Sequence, residues 1–388
     1  MKNILFLIPD LRFGGVENSL VNLVNSIDPK KNINITILMY KDQYDLLSKL
    51  SKSDLIKTKI IKTNKAVRCV INCFGKMLGK YGYFFKDSYF NKIKASLYIK
   101  NNVKKYDYII SYHASCTNNI IKFANPKSKD KMIMWYHGST YNKWAFKEYV
   151  PYLFSKIVAV NDICAEVICR HNPALTDKIT AIENLVPYSE IMEKSKIGED
   201  LFEKDCFNIV TCARIDWQKG IDTAVEACRI LKDKISGFKW YLVGDADDSK
   251  KEYENQINEL IKKYELEDTF ILLGSKQNPF PYFAQCDLYV QPTHEESFGI
   301  TIAEAQVCGA AIVATDTVGA RHLIKNGETG IITDNNPDAL AEGIYEMYND
   351  NEKRNFISEN VKKLDFEESN QKILNKFYDL IGVTTDRE

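Results

Sequence analysis

Short apolar runs recur along this chain, and each is followed by a stretch whose apolar residues fall at helical spacing. That alternation restricts the fold more than any other feature. Strands joined by crossover helices build parallel sheets with helices packed on their faces. Runs near 3–8, 33–39, 106–112, 131–136, 156–160 and 179–183 read as strands in the first half. Runs near 206–212, 238–244, 269–273, 287–291, 311–315 and 330–333 read as strands in the second. Leu20, Val24 and Ile27 share one face of the helix expected after the first run.

A length of 388 residues suffices for two such sheets, each with its own core. Pro187 closes the last apolar run of the first half, and residues 190–205 are polar and charged. We therefore expect an α/β chain of two doubly wound, Rossmann-like parallel-sheet domains, 1–190 and 191–365. Residues 366–388 read as an amphipathic helix with Ile373, Phe377 and Ile381 on one side. The run Ile4–Ile8 is too short for the apolar part of a secretory leader, and Asp10 and Arg12 follow at once, so it reads as a buried strand. No run reaches the roughly 18 apolar residues that a membrane span needs.

The 52 basic and 52 acidic residues balance to a net charge of 0, which argues against nucleic acid as the main partner. The ten cysteines contain no CxxC pair, and Cys69 and Cys73 suit one helix face better than a metal knuckle. With five histidines and no Cys/His cluster, a zinc site is not expected, and reduced thiols suggest a cytoplasmic protein.

Chemistry concentrates in two stretches of the second half. In Glu296-Ser297-Phe298-Gly299-Ile300-Thr301-Ile302-Ala303-Glu304, a glycine turn opens a helix whose apolar face is Ile300, Ala303 and Val307. The N–H groups of Ser297, Phe298 and Gly299 make a ready anion site at its start. Glu296 before the helix and Glu304 inside it can hold hydroxyls at two ends of one elongated ligand. The plainer reading is a helix start with an acidic flank. In Ala213-Arg214-Ile215-Asp216-Trp217-Gln218-Lys219-Gly220, Arg214 ends a strand and Lys219 precedes a helix. A cation at a helix N-terminus opposes the dipole unless an anion fills the space, and a diphosphate would satisfy both cations. Two solvated loop cations are the alternative. Gly14-Gly15 after the first strand, and His137 in Trp135-Tyr136-His137-Gly138, each read as an ordinary turn or a structural residue, or as part of a site. Asp245-Ala246-Asp247 is read as a turn and not as a metal site.

Glu-Ser-Phe-Gly-x4-Glu-Ala, followed by Cys308-Gly309-Ala310-Ala311-Ile312-Val313-Ala314-Thr315, resembles the retaining glycosyltransferases of family 4, over nearly the full chain and most strongly between 206 and 335. The resemblance implies the GT-B fold with an interdomain cleft, a first domain that binds acceptor, a second that binds nucleotide-sugar, and a terminal helix that crosses back to the first. It implies Glu296, Arg214, Lys219 and His137 as catalytic, and Glu304, Ser297, Phe298, Gly299, Ile300, Gly14, Gly15 and Lys276 as donor-binding. It implies neither metal nor cofactor beyond the donor, retention by same-face attack, and a hexose or N-acetylhexosamine, uridine-linked, passed to a glycan or lipid-linked acceptor of bacterial surface polysaccharide. A sugar-nucleotide epimerase of the same fold and a non-catalytic partner subunit are the rivals. His322 stands where that family usually has Glu, and Leu185 replaces the Gly after Asn184.

Between residues 62 and 105 eleven Lys and Arg accompany a single acid, Asp87, with aromatics interleaved. Such a surface can dock on anionic lipid at the inner face of a membrane, or it is a set of solvated helix faces.

Overall fold

The computed structural model describes residues 1–51, 53–62, 87–125, 127–140, 142, 145–147, 150–198, 201–247 and 250–384. Cys69, Cys73 and most of the basic segment, Lys65 to Lys86, lie outside the described residues. The chain forms two compact units, residues 1–185 with 371–388, and residues 186–370.

The first unit holds a seven-stranded sheet of order β3-β2-β1-β4-β5-β6-β7. Its strands are β1 Lys2–Leu7, β2 Ile33–Met39, β3 Ile56–Ile60, β4 Tyr108–Ser111, β5 Met132–Tyr136, β6 Lys156–Ala159 and β7 Ile179–Ala181. Every pairing is parallel. Strands buried on both faces read as unbroken apolar runs, as Ile4 to Leu7 and Met132 to Tyr136 do. β3 was not expected from the sequence. Its Ile-Lys-Thr-Lys-Ile has exposed lysines because it is the sheet edge, where charge discourages further pairing. The helix Phe366–Leu380 brings Phe377 against Phe6, ring centroids 6.3 Å apart.

The second unit holds a six-stranded sheet of order β10-β9-β8-β11-β12-β13, also parallel throughout. Its strands are β8 Phe207–Cys212, β9 Phe238–Val243, β10 Phe270–Gly274, β11 Leu288–Gln291, β12 Ile312–Thr315 and β13 Ile331–Thr333. Alternate residues feed two cores. Ile209, Trp240, Leu242 and Val290 pack on one face with Ala224, Cys228 and Leu231 of the helix Ile221–Lys232. Val210, Tyr241, Tyr289 and Ile312 pack on the other with Ile302 and Ala305 of the helix Ile300–Val307. Among the described residues no helix is long and apolar enough to cross a membrane.

Candidate functional site

Strand order in the second sheet reverses between β8 and β11, which are hydrogen-bonded neighbours although β9 and β10 separate them in sequence. Ligands of open α/β sheets bind at such a reversal, beyond the carboxyl ends of the strands. The loops leaving β8 and β11 are the two stretches in which the sequence concentrates its candidate chemistry.

These loops interlock. His294 N–H donates to the Gln218 carbonyl at 3.0 Å. Gly220 has φ 62°, and a Cβ there would lie 1.9 Å from the Pro292 carbonyl oxygen, so only glycine permits the approach. Lys219, just before Gly220, reaches across and donates from Nζ to Glu296 Oε2 at 2.7 Å. The pair is well covered, the side chains being 23% and 15% exposed. Glu296 Oε1 accepts from the Ser297 N–H at 3.2 Å. The anion expected beside Lys219 and the Ser297 amide is therefore, in this structure, the protein's own carboxylate.

A third segment holds the backbone of Glu296. Gly319, in the helix Val318–Leu323, donates its N–H to the Glu296 carbonyl at 3.0 Å. A Cβ at 319 would meet Glu296 Cγ and the Phe298 carbonyl carbon, each at 2.8 Å. Phe298 is buried and packs on His322, centroids 5.5 Å apart, so the side chain that replaces the expected Glu supports the turn by ring contact. Gly299, φ 88°, then starts the helix in which Ile300 is first and Glu304 lies one turn in. Glu304 is half-buried beside two thiols. Burial and then its charge push Cys308 up to about 12 and Cys212 further.

Arg214 follows β8 and Lys276 follows β10. Arg214 Nη1 lies 3.2 Å from Asp247 Oδ2, both side chains about half exposed, an arrangement that holds the guanidinium only weakly. Asp245 Oδ2 accepts the Ser275 N–H at 2.8 Å, and that hydrogen bond, aided by Lys251 and exposed Lys276, keeps its pKa below the usual carboxylate range. Both carboxylates of the Asp-x-Asp are thus engaged by protein groups.

Sequence reading passed over His294. Its Nε2 faces Asp222 Oδ1 and its Nδ1 faces Asn335 Oδ1, each at 3.2 Å, while its ring lies tilted against exposed Trp217, centroids 4.8 Å apart. A histidine two positions before Glu296 was the only local signal of it.

Gly14, Gly15 and His137 belong to the first unit, where order reverses between β1 and β4. Gly14 precedes the helix Gly15–Asn25 in extended conformation. A Cβ there would meet Glu17 Oε2 at 2.2 Å, so what Gly14 admits is the buried Glu17 carboxyl, whose pKa burial raises. His137 follows β5 and rests on Tyr112, centroids 4.8 Å apart. Burial, then the nearby charge of His113, lowers its pKa to about 3, so the ring is neutral at ordinary pH.

Residues 193–364 match the family model of glycosyl transferases group 1. The capsular polysaccharide biosynthesis glycosyltransferase CapM of Staphylococcus aureus is 28% identical over 235 residues, 56% of this chain and 60% of that protein. The N-acetylgalactosamine-N,N'-diacetylbacillosaminyl-diphospho-undecaprenol 4-alpha-N-acetylgalactosaminyltransferase of Campylobacter jejuni is 27% identical over 187 residues, 48% of each. The chain thus spans between about half and two thirds of the curated relatives it matches first, at 60%, 48% and 65% of their lengths. Among solved structures, Anabaena HepE in complex with UDP-glucose has a TM-score of 0.75 and 18% identity over 98% of this chain and 100% of that one. A glycosyltransferase from Rickettsia africae has a TM-score of 0.73 and 20% identity over 100% and 99%. Likeness along the full chain identifies the fold as GT-B, two parallel-sheet α/β domains.

Proposed function

We propose that this protein transfers a hexose or N-acetylhexosamine, with retention and without metal or separate cofactor, from a uridine-diphosphate-linked donor to a glycan or lipid-linked acceptor of surface polysaccharide. One observation carries the reading. Lys219, the Ser297 amide and the Glu296 carboxylate meet at the strand-order reversal of a glycosyl transferases group 1 domain. A cation and an amide already holding an anion are suited to exchange it for a diphosphate.

In this reading Lys219 and Arg214 neutralise the diphosphate, with the amides of Ser297, Phe298 and Gly299 and the first residue of the helix, Ile300. Arg214 leaves its exposed partner Asp247 at little cost. Glu296, released from Lys219, orients hydroxyls of the donor sugar. Glu304 accepts from the ribose hydroxyls, and the loop of Lys276 faces the base. The bond to the anomeric carbon breaks as charge develops on the leaving phosphate oxygen, which the cations and amides stabilise. The acceptor hydroxyl attacks on the same face and gives up its proton to that phosphate. Gly14, Gly15 and neutral His137, which can hydrogen-bond a hydroxyl without adding charge, take the sugar-facing roles that the family resemblance gives them.

The uridine donor and the glycan or lipid-linked acceptor are supported by the UDP complexes of HepE and by the names of CapM and its Campylobacter counterpart. The test is a thermal-shift screen against nucleotide-sugars, followed by product analysis with mixed acceptors. Stabilisation by UDP-sugars and acceptor-dependent release of UDP are expected. No shift with any nucleotide, or free UDP and an altered sugar without acceptor, would refute the reading. Peripheral docking through the 62–105 segment is tested with anionic liposomes. Binding that survives Lys80→Glu, Lys86→Glu and Lys92→Glu together would end that part.

A further inference from the structure

The amide of Gln291, the last residue of β11, is 2% exposed, and its groups have partners on three sides. Its Oε1 accepts from the Tyr289 hydroxyl at 2.5 Å and from the Thr301 hydroxyl at 3.0 Å. Its Nε2 donates to Thr293 Oγ1. Thr315 at the end of β12 closes the network, donating to the carbonyl of Thr293 at 2.6 Å. Tyr289 and Thr293 are fully buried and Thr315 nearly so.

A buried polar network is tolerated only when its members are satisfied, and then it fixes one arrangement where an apolar core would allow several. What this one fixes is specific. Thr301 lies in the first turn of the helix that Gly299 opens. Thr293 lies three residues before Glu296. Pro292, between Gln291 and Thr293, is the residue whose carbonyl abuts Gly220 next to Lys219. One amide therefore ties together the strand end, the Glu296 loop and the helix start, at the point where the Lys219 loop leans on them.

We propose that Gln291 is a positioning residue of the donor site. Through Thr301 and Thr293 it sets the Ser297–Gly299 amides and Glu296 in register with Lys219, so that cation, amides and carboxylate act on one diphosphate-sugar. The inference rests on the donor reading above and adds a residue that touches no substrate.

Thr301→Val and Thr301→Ser test it with little risk to folding, because valine matches threonine in shape and serine keeps the hydroxyl. Affinity for UDP is measured by calorimetry, and kcat and KM with UDP-sugar by UDP release. Thr301→Val is expected to weaken UDP binding about tenfold and to lower kcat as well. Thr301→Ser is expected within about twofold of wild type, with melting temperature preserved in both. Gln291→Leu should exceed the Thr301→Val loss if it folds. Wild-type UDP binding together with unchanged affinity and kcat in Thr301→Val would overturn this inference and leave the donor reading intact. Equal losses in Thr301→Val and Thr301→Ser would also overturn it, since the hydroxyl would then not be the cause. Failure of the wild type to bind UDP would overturn the donor reading and this inference with it.

Discussion

Replacing Glu296 by Gln should tighten the binding of UDP while it impairs transfer. Lys219 is paired with Glu296 at 2.7 Å, and UDP must compete for that cation. Charges centred roughly 4 Å apart interact by about 4 kcal/mol at an effective dielectric of 20. Much of this is offset, because both groups are partly hydrated and an amide oxygen still accepts from Lys219. A residual of about 1.4 kcal/mol corresponds to roughly tenfold in affinity. Removing the carboxylate also removes a negative charge from beside the incoming diphosphate, which acts in the same direction. Calorimetry with UDP, and with uridine as a control lacking phosphate, isolates the effect, which should appear for UDP alone and shrink as salt is raised. Turnover of UDP-sugar should fall, because the sugar hydroxyls exchange a charged, two-oxygen acceptor for the single neutral oxygen of an amide. Unchanged or weaker UDP binding in a Glu296→Gln protein of normal melting temperature would refute the exchange of anions proposed for this site.

Arg214→Ala should lower kcat by about 10²–10³, by analogy with loss of an oxyanion stabiliser, and near-normal turnover would remove Arg214 from the site. Gly319→Ala should destabilise the protein by about 1–3 kcal/mol in denaturant melts, since its Cβ would stand 2.8 Å from Glu296 Cγ and from the Phe298 backbone. UDP affinity should fall with it as the Glu296 loop is displaced, and an unperturbed melt would contradict the packing described. His137 makes stability depend on pH. Its ring takes up a proton near 6.5 when unfolded and near 3 when folded. Its contribution is therefore full above pH 6.5 and declines as pH falls from 6.5 towards 3. At pH 5 the loss approaches about 2 kcal/mol, at 1.36 kcal/mol per pKa unit. His137→Asn should flatten this part of the stability–pH curve, and an unchanged slope would show that another group titrates there.

The sequence by itself determined the elements and the chemistry of the candidate site. Parallel strands covered on both faces are mostly apolar, so β1, β5 and β12 announce themselves as runs. Arg214, Lys219 and Glu296 stand out because a strand end or a glycine turn is an uncommon place for such charges. The Lys-rich edge strand β3 escaped because an edge need not be apolar on both sides. Only the tertiary structure decided which groups meet. Strand order puts β8 beside β11 across two intervening strands, and this is what brings Lys219 onto Glu296, 77 positions away. It also gives Gln291, a polar residue at a strand end, its buried partners, and it packs Gly319 against Glu296. Local patterning records how much of each residue is covered, whereas pairing across crossovers depends on the path of the whole chain.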